Sequence, residues 1–193
     1  MSESTQSYIT DVVLISGPSQ VGKSTIQDKL LGFDPLERVI TRTTRAPRKN
    51  EVDGEDYYFT TQSQFEMLVN FERLIEFNQY AGNLYGTEIS EYQRIGKLKR
   101  VALQVVDVNG AKAIKRWCND NNINCVTIFI APTSIDVILK RLQGFPDLNE
   151  RYNTAKLELD QAYDFDQVFI NDKVKLCVNK ILTYLDSKGI MYV

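Results

Sequence analysis

Residues 17–25 run Gly17, Pro18, Ser19, Gln20, Val21, Gly22, Lys23, Ser24 and Thr25, directly after a Val/Ile-rich stretch at residues 11–16. This G-x-x-x-x-G-K-S/T pattern constrains the fold more than any other part of the chain. It needs a strand before it and a helix N-terminus after it, because successive backbone N–H groups must converge on one anion at the positive end of a helix. The glycines allow backbone angles and a close approach that a side chain would block. Lys23 is placed to reach the outer phosphates of a bound triphosphate, and the Ser24 hydroxyl suits Mg²⁺. Motors, GTPases, transporters and kinases all carry such a loop, so it names no acceptor.

The strand–loop–helix unit sets the reading of the rest of the chain. Short β-branched runs at residues 101–108, 126–131 and 168–171 are apolar on both faces, as central parallel strands are. Helical patterns lie at residues 24–31, 110–119, 134–142, 148–163 and 172–188, the last stopping at Gly189. The alternation predicts an open α/β sheet with ligands at the carboxyl ends of its strands. Residues 41–96 break it. They hold a basic stretch, an aromatic strand at residues 57–60, a helix opened by a Ser63/Glu66 capping box, and aromatic residues from Phe77 to Tyr85. This region is expected to be a small lobe inserted into the sheet domain.

Composition narrows the chemistry. A chain of 193 residues suits one domain, and 43% apolar and 25% charged residues are ordinary for a globular protein. Disorder is expected only at residues 1–7. A net charge of −2 argues against a nucleic-acid binder, so any anion site must come from local clustering. Without histidine there is no His base and no His-ligated metal. Cys118, Cys125 and Cys177 have no metal-ligand spacing and suit reduced thiols in a cytoplasmic protein. No signal pattern or membrane-spanning apolar run is visible.

The basic stretch Thr41, Arg42, Thr43, Thr44, Arg45, Ala46, Pro47, Arg48 fits a solvated loop, a short nucleic-acid arm or a monophosphate clamp, since guanidinium forks bind two oxygens at once. Further segments carry more of a pattern: residues 51–59, Gly82 to Thr87, Glu76, Asp107-Val108-Asn109-Gly110, and residues 151–159 before Asn171 and Asp172. With the loop at residues 17–25, they closely resemble the guanylate kinase family over nearly the whole length. The resemblance implies an α/β fold: an open parallel five-stranded P-loop sheet flanked by helices, with an inserted mixed α+β acceptor lobe and a short helical lid. Core, lobe and lid are expected at about 8–40, 97–133 and 152–193, at 41–96, and at 134–151.

The activity implied is phosphoryl transfer from ATP, with Mg²⁺, to GMP or dGMP, by a cytoplasmic monomer or homodimer with no nucleic-acid or membrane partner. The resemblance puts Arg45, Arg48, Tyr57 and Tyr85 on the acceptor phosphate, and Thr41, Glu76, Thr87 and Asp107 on the guanine base. A carboxylate there accepts from the N1–H and N2 amino donors, and a hydroxyl donates to O6. ATP falls to residues 17–25, with Asn171 on the adenine side. Lys23 with Arg45, Arg48, Arg141 and Arg151 forms the catalytic set, and Ser24 holds Mg²⁺, joined through water by Asp107. Two rival readings stay open: a P-loop kinase with another acceptor, and a phosphopeptide-binding module, though such modules typically lose the loop's Lys and Ser.

Three departures from the family pattern stand out. Val105 replaces one of two acidic residues expected two apart, and period-two alternation would put it on one face with Asp107. The lid is short, and Phe145 stands where a further arginine is expected, which predicts slower turnover. Gln20 replaces a glycine, a change expected to matter least.

Overall fold

The computed structural model describes residues 10–80 and 82–191; the disorder expected at residues 1–7 lies outside them. Among the described residues the order is β1 (Val12–Ser16), α1 (Lys23–Leu30), β2 (Leu36–Arg38), β3 (Arg42–Thr43), β4 (Tyr58–Phe59), α2 (Gln62–Asn70), β5 (Leu74–Tyr80), β6 (Asn83–Glu88), α3 (Ile89–Lys97), β7 (Val101–Val105), α4 (Val108–Asp120), β8 (Cys125–Ala131), α5 (Ile135–Leu142), α6 (Leu148–Asp160), a short 3-10 turn at Ala162–Asp164, β9 (Gln167–Ile170) and α7 (Val174–Ser187). The larger sheet has strand order β2-β7-β1-β8-β9, with every pairing parallel. The expected five-stranded parallel sheet is therefore present. Its edge strand β2 was not among the apolar runs, because Leu36-Glu37-Arg38 is short and mostly polar.

Strand β1 lies at the centre with all five residues buried, which is why its sequence is apolar at nearly every position. Alternate residues feed two cores. Val13, Ile15, Leu103, Ile128 and Ile130 pack with Ile26 and Leu30 of α1 and Ile181 and Leu185 of α7. Val12, Leu14, Ala102 and Phe129 pack on the other face with Tyr92 of α3 and Ile114 and Cys118 of α4. Burying one such Leu or Ile fully is worth about 1.5–3 kcal/mol. Among the described residues no helix is long and apolar enough to cross a membrane.

The second sheet, β4-β3-β6-β5, is mixed and falls within residues 41–96. Two local expectations are corrected. The capping box of α2 is made by Thr61 and Gln64, two residues earlier than Ser63 and Glu66: the Gln64 side chain accepts from the Thr61 N–H, and the Thr61 hydroxyl accepts from the Gln64 N–H. The run 101–108 is not one strand: β7 ends at Val105, and Asp107 caps α4 by accepting from the Gly110 N–H at 2.9 Å. Strand alternation therefore does not extend to Asp107. The pattern at 148–163 likewise ends as a helix at Asp160 and continues as the 3-10 turn.

Candidate active site

Residues 17–22 form a tight loop between β1 and α1. Gly17 (φ +137) passes so close to β8 that a Cβ would collide with the Ile130 carbonyl oxygen, and Gly22 (φ +100) caps α1 in a left-handed conformation. Gln20 also lies in the left-handed region, at φ +64. The glycine replacement at this position thus falls where a side chain is sterically disfavoured, so it is not the neutral change the motif suggested. The Lys23 ammonium donates to the carbonyls of Gly17 and, at 2.9 Å, Pro18. Desolvation holds its pKa below the usual lysine range, against the opposing pull of Glu158 and Asp107. Asn171 packs on the loop, its Nδ2 donating to the Val21 carbonyl at 2.8 Å, while its buried Oδ1 has no hydrogen-bond partner.

Helices α5 and α6 bring two arginines to the loop. Arg141 donates to the Gln20 carbonyl at 2.8 Å. Arg151 pairs with Asp147 at 2.8 Å and lies 3.5 Å from the Ser19 hydroxyl. Its guanidinium sits 5.2 Å from the Phe145 ring centroid and 5.9 Å from that of Tyr80 on β5. Phe145 therefore does not merely lack a charge: it is one of two rings flanking Arg151.

Around the smaller sheet lie Arg45, Arg48, Tyr57 and Tyr85. Arg45 pairs with Glu51 at 2.8 Å, and Glu51 also accepts from the Arg48 backbone N–H at 2.7 Å. The Arg45 guanidinium lies 5.4 Å from the Tyr57 ring centroid, and the Tyr57 and Tyr85 rings are 6.1 Å apart. The Glu51 hydrogen bond chiefly raises the Arg45 pKa, with Tyr85 adding to it. Burial raises that of Tyr57, so both behave as fixed donors near neutral pH. Arg48 is exposed, whereas Thr41 is partly buried in the β2–β3 connection, where its carbonyl accepts from the Tyr58 N–H.

Glu76 on β5 is partly buried, and its Oε1 accepts from the Thr87 hydroxyl at 2.6 Å across the β5–β6 pair. Desolvation raises its pKa, the Thr87 bond opposes that, and nearby Asp107 adds to the rise. Thr87 is wholly buried and its single proton is committed to Glu76. In this arrangement the proton is directed at Glu76 and not at a base oxygen, the donor role that the resemblance implied for it. Its side chain orients the carboxylate instead.

Asp107 links the P-loop lysine with Glu76 of the smaller sheet. It is close enough to influence both Lys23 and Glu76, and its Oδ2 accepts from Asn78 at 3.3 Å. Glu158 of α6, to which sequence reasoning assigned no role, comes near the same lysine; burial raises its pKa and Lys23 opposes the rise. Val105 itself packs against the apolar core beneath α1 and α7, so the carboxylates near Lys23 are Glu158 and Asp107. Glu51 was also missed. Gln104 could have been noticed, as a polar residue inside an otherwise apolar strand.

A loop able to grip a triphosphate, in one chain with a smaller mixed sheet that carries an arginine–tyrosine cluster and a partly buried carboxylate, is the make-up of a P-loop phosphotransferase. The guanylate kinase family model matches residues 9–188. The guanylate kinase of Lactobacillus delbrueckii subsp. bulgaricus is 32% identical over 186 residues, spanning 93% of this chain and 89% of that protein. That of Halalkalibacterium halodurans is 36% identical over 178 residues, 88% of this chain and 84% of that protein. The crystal structure of guanylate kinase from Anaplasma phagocytophilum superimposes with a TM-score of 0.75 at 26% identity, covering 94% of this chain and 87% of that one. The chain belongs to the guanylate kinase family.

Proposed function

We propose that this chain catalyses ATP + GMP (or dGMP) to ADP + GDP (or dGDP) in the cytoplasm. Family membership supports an ATP-dependent nucleoside monophosphate kinase. The observation that carries the acceptor assignment is the Glu76 carboxylate, braced by Thr87 and near Asp107, which also influences Lys23. Its Oε2 is suited to accept from the N1–H and N2 amino donors of guanine. Adenine has no donor at N1 and would leave a buried carboxylate unpaired, a mismatch that can discriminate by up to ~10⁴–10⁵-fold. With Thr87 committed to Glu76, Thr41 becomes the hydroxyl proposed for O6.

Phosphoryl transfer needs alignment and charge neutralisation more than covalent help. Residues 17–25 would cradle the ATP phosphates, with Lys23 moving from the loop carbonyls to the transferring group and Asn171 beside the loop on the adenine side. Arg45, Arg48, Tyr57 and Tyr85 would place the acceptor phosphate in line, its ionised oxygen attacking without a protein base. Arg141 and Arg151 would close on the transferring charge from the lid. Among the described residues no His/Cys/Asp/Glu group forms a metal cage. That suits Mg²⁺, which keeps several waters and binds chiefly through substrate phosphates and one or two protein oxygens. Ser24, in the first turn of α1 beside Lys23, would hold it, with Asp107, near enough to influence Lys23, joining through water. When bound, Mg²⁺ neutralises charge on the phosphate oxygens and so aids the transfer.

A coupled assay of ADP release with GMP, dGMP, AMP, CMP, UMP or no acceptor tests the proposal. Turnover confined to the guanine monophosphates is expected. Turnover with another acceptor alone would replace GMP, and no turnover together with phosphopeptide binding would overturn the enzyme reading.

A further inference from the structure

Behind Glu76 runs a line of buried polar side chains that no step of the proposed transfer requires. The Tyr92 hydroxyl on α3 donates to Gln104 Oε1 at 2.6 Å, Gln104 Nε2 on β7 donates to the Thr87 hydroxyl at 2.7 Å, and Thr87 donates to Glu76 Oε1 at 2.6 Å. Tyr92 and Thr87 are 0% exposed and Gln104 is 1% exposed, so water cannot substitute for any partner. Every donor points the same way, from the core toward the carboxylate. Three polar side chains in an apolar interior carry a desolvation penalty that only a complete chain offsets.

We infer that Tyr92 and Gln104 are positioning residues that set the hydrogen-bond polarity of the acceptor-base site, holding Glu76 as an ionised double acceptor and so selecting guanine. This rests on the proposed GMP reaction. Proton counting fixes the direction. With the Gln104 N–H aimed at Thr87, the Thr87 proton has only Glu76 to serve, and Glu76 must accept. If the amide were reversed, Thr87 would donate to Gln104, and Glu76 would have to be protonated to donate to Thr87. The site would then lose the charge that meets guanine's two donors. Tyr92 is buried among Trp117, Cys118 and Cys125, and burial pushes its pKa well up, so it stays a neutral donor over the working pH range. The other charged groups facing this line are Asp107, beside Glu76 at the start of α4, and Glu91, near Tyr92 on α3. Asp107 works directly against ionisation of Glu76, which makes the donors behind it matter more.

The test replaces both upstream partners at once, Tyr92→Phe with Gln104→Leu. Removing a buried donor together with its acceptor leaves few orphaned groups and is close to neutral for folding, unlike either single change. Two readouts are taken. The first needs no substrate: the Glu76 carboxyl is titrated by ¹³C NMR, assigned through Glu76→Gln, and is expected to titrate at higher pH in the double variant than in the parent. The second is kinetic: the acid limb of kcat/KM for GMP should move to higher pH, and the GMP-over-AMP preference should fall by about tenfold, the scale of one buried hydrogen bond. The change is expected in KM for GMP rather than KM for ATP. A parent that does not phosphorylate GMP would overturn the acceptor reading while leaving the titration to decide the relay. An unmoved Glu76 titration, or an unchanged pH profile and base preference in a folded variant, would overturn the relay itself.

Discussion

Replacing Glu76 with glutamine changes one oxygen to an NH₂ and tests the base-reading assignment at nearly constant volume. The surrounding bonds decide where that NH₂ goes. Thr87 receives the Gln104 N–H and therefore aims its own proton at residue 76, so the new carbonyl oxygen takes the Oε1 position and the NH₂ takes that of Oε2. Guanine then loses a charge-assisted acceptor, worth about 1.5–3 kcal/mol, and its remaining donors face another donor, at about 1 kcal/mol or more. Together these predict a fall in kcat/KM for GMP of about 10²–10³-fold. AMP, whose N1 can accept from the new NH₂, should be unaffected or improved. The coupled ADP-release assay with each acceptor near neutral pH measures the ratio; an unaltered GMP/AMP ratio would refute the assignment. Stability supplies an independent check. Burial raises the folded-state pKa of Glu76 above its unfolded value, so the folded state binds more protons between the two. The contribution of this group to stability therefore declines as pH rises from the ordinary carboxylate range through the raised value. Glutamine has no such slope, and urea midpoints should show the variant gaining on the parent as pH rises through that window.

Lys23→Ala is expected to abolish turnover while leaving GMP affinity by calorimetry largely intact, and an unchanged kcat would remove Lys23 from the mechanism. Phe145→Ala removes one of the two rings against Arg151; a cation–π contact of about 1 kcal/mol predicts roughly a fivefold fall in kcat, and no change would mean that Asp147 and Tyr80 hold the guanidinium without it. Gln20→Gly relieves a left-handed backbone strain of about 1–2 kcal/mol but returns about 0.4–1 kcal/mol of freedom to the unfolded chain. A net gain between about zero and about 1.6 kcal/mol is expected in the urea-derived unfolding free energy, from the difference of those two effects. A clear loss would show that the loop does not strain at this residue.

Local sequence was enough to specify the strand–loop–helix at residues 12–30 and the alternation that builds a parallel sheet. These were legible because each depends on neighbours close in the chain: glycines where the backbone turns, a lysine one position past the last glycine, β-branched runs for buried strands. Whatever depends on contacts between distant segments was not legible. The polar strand β2 is held by pairing with β7, not by its own pattern. Asp107 leaves the strand because it caps α4, so alternation along β7 does not put it on one face with Val105. Glu158 comes near Lys23 only because α6 folds back toward the loop, and Phe145 and Tyr80 meet on Arg151 from the α5–α6 connection and from β5. The family resemblance implied a base contact for Thr87, yet only the packed interior shows where its one proton goes. A hydroxyl can donate in any of several directions, and it is the Gln104 amide, 17 residues further along the chain, that leaves it a single choice.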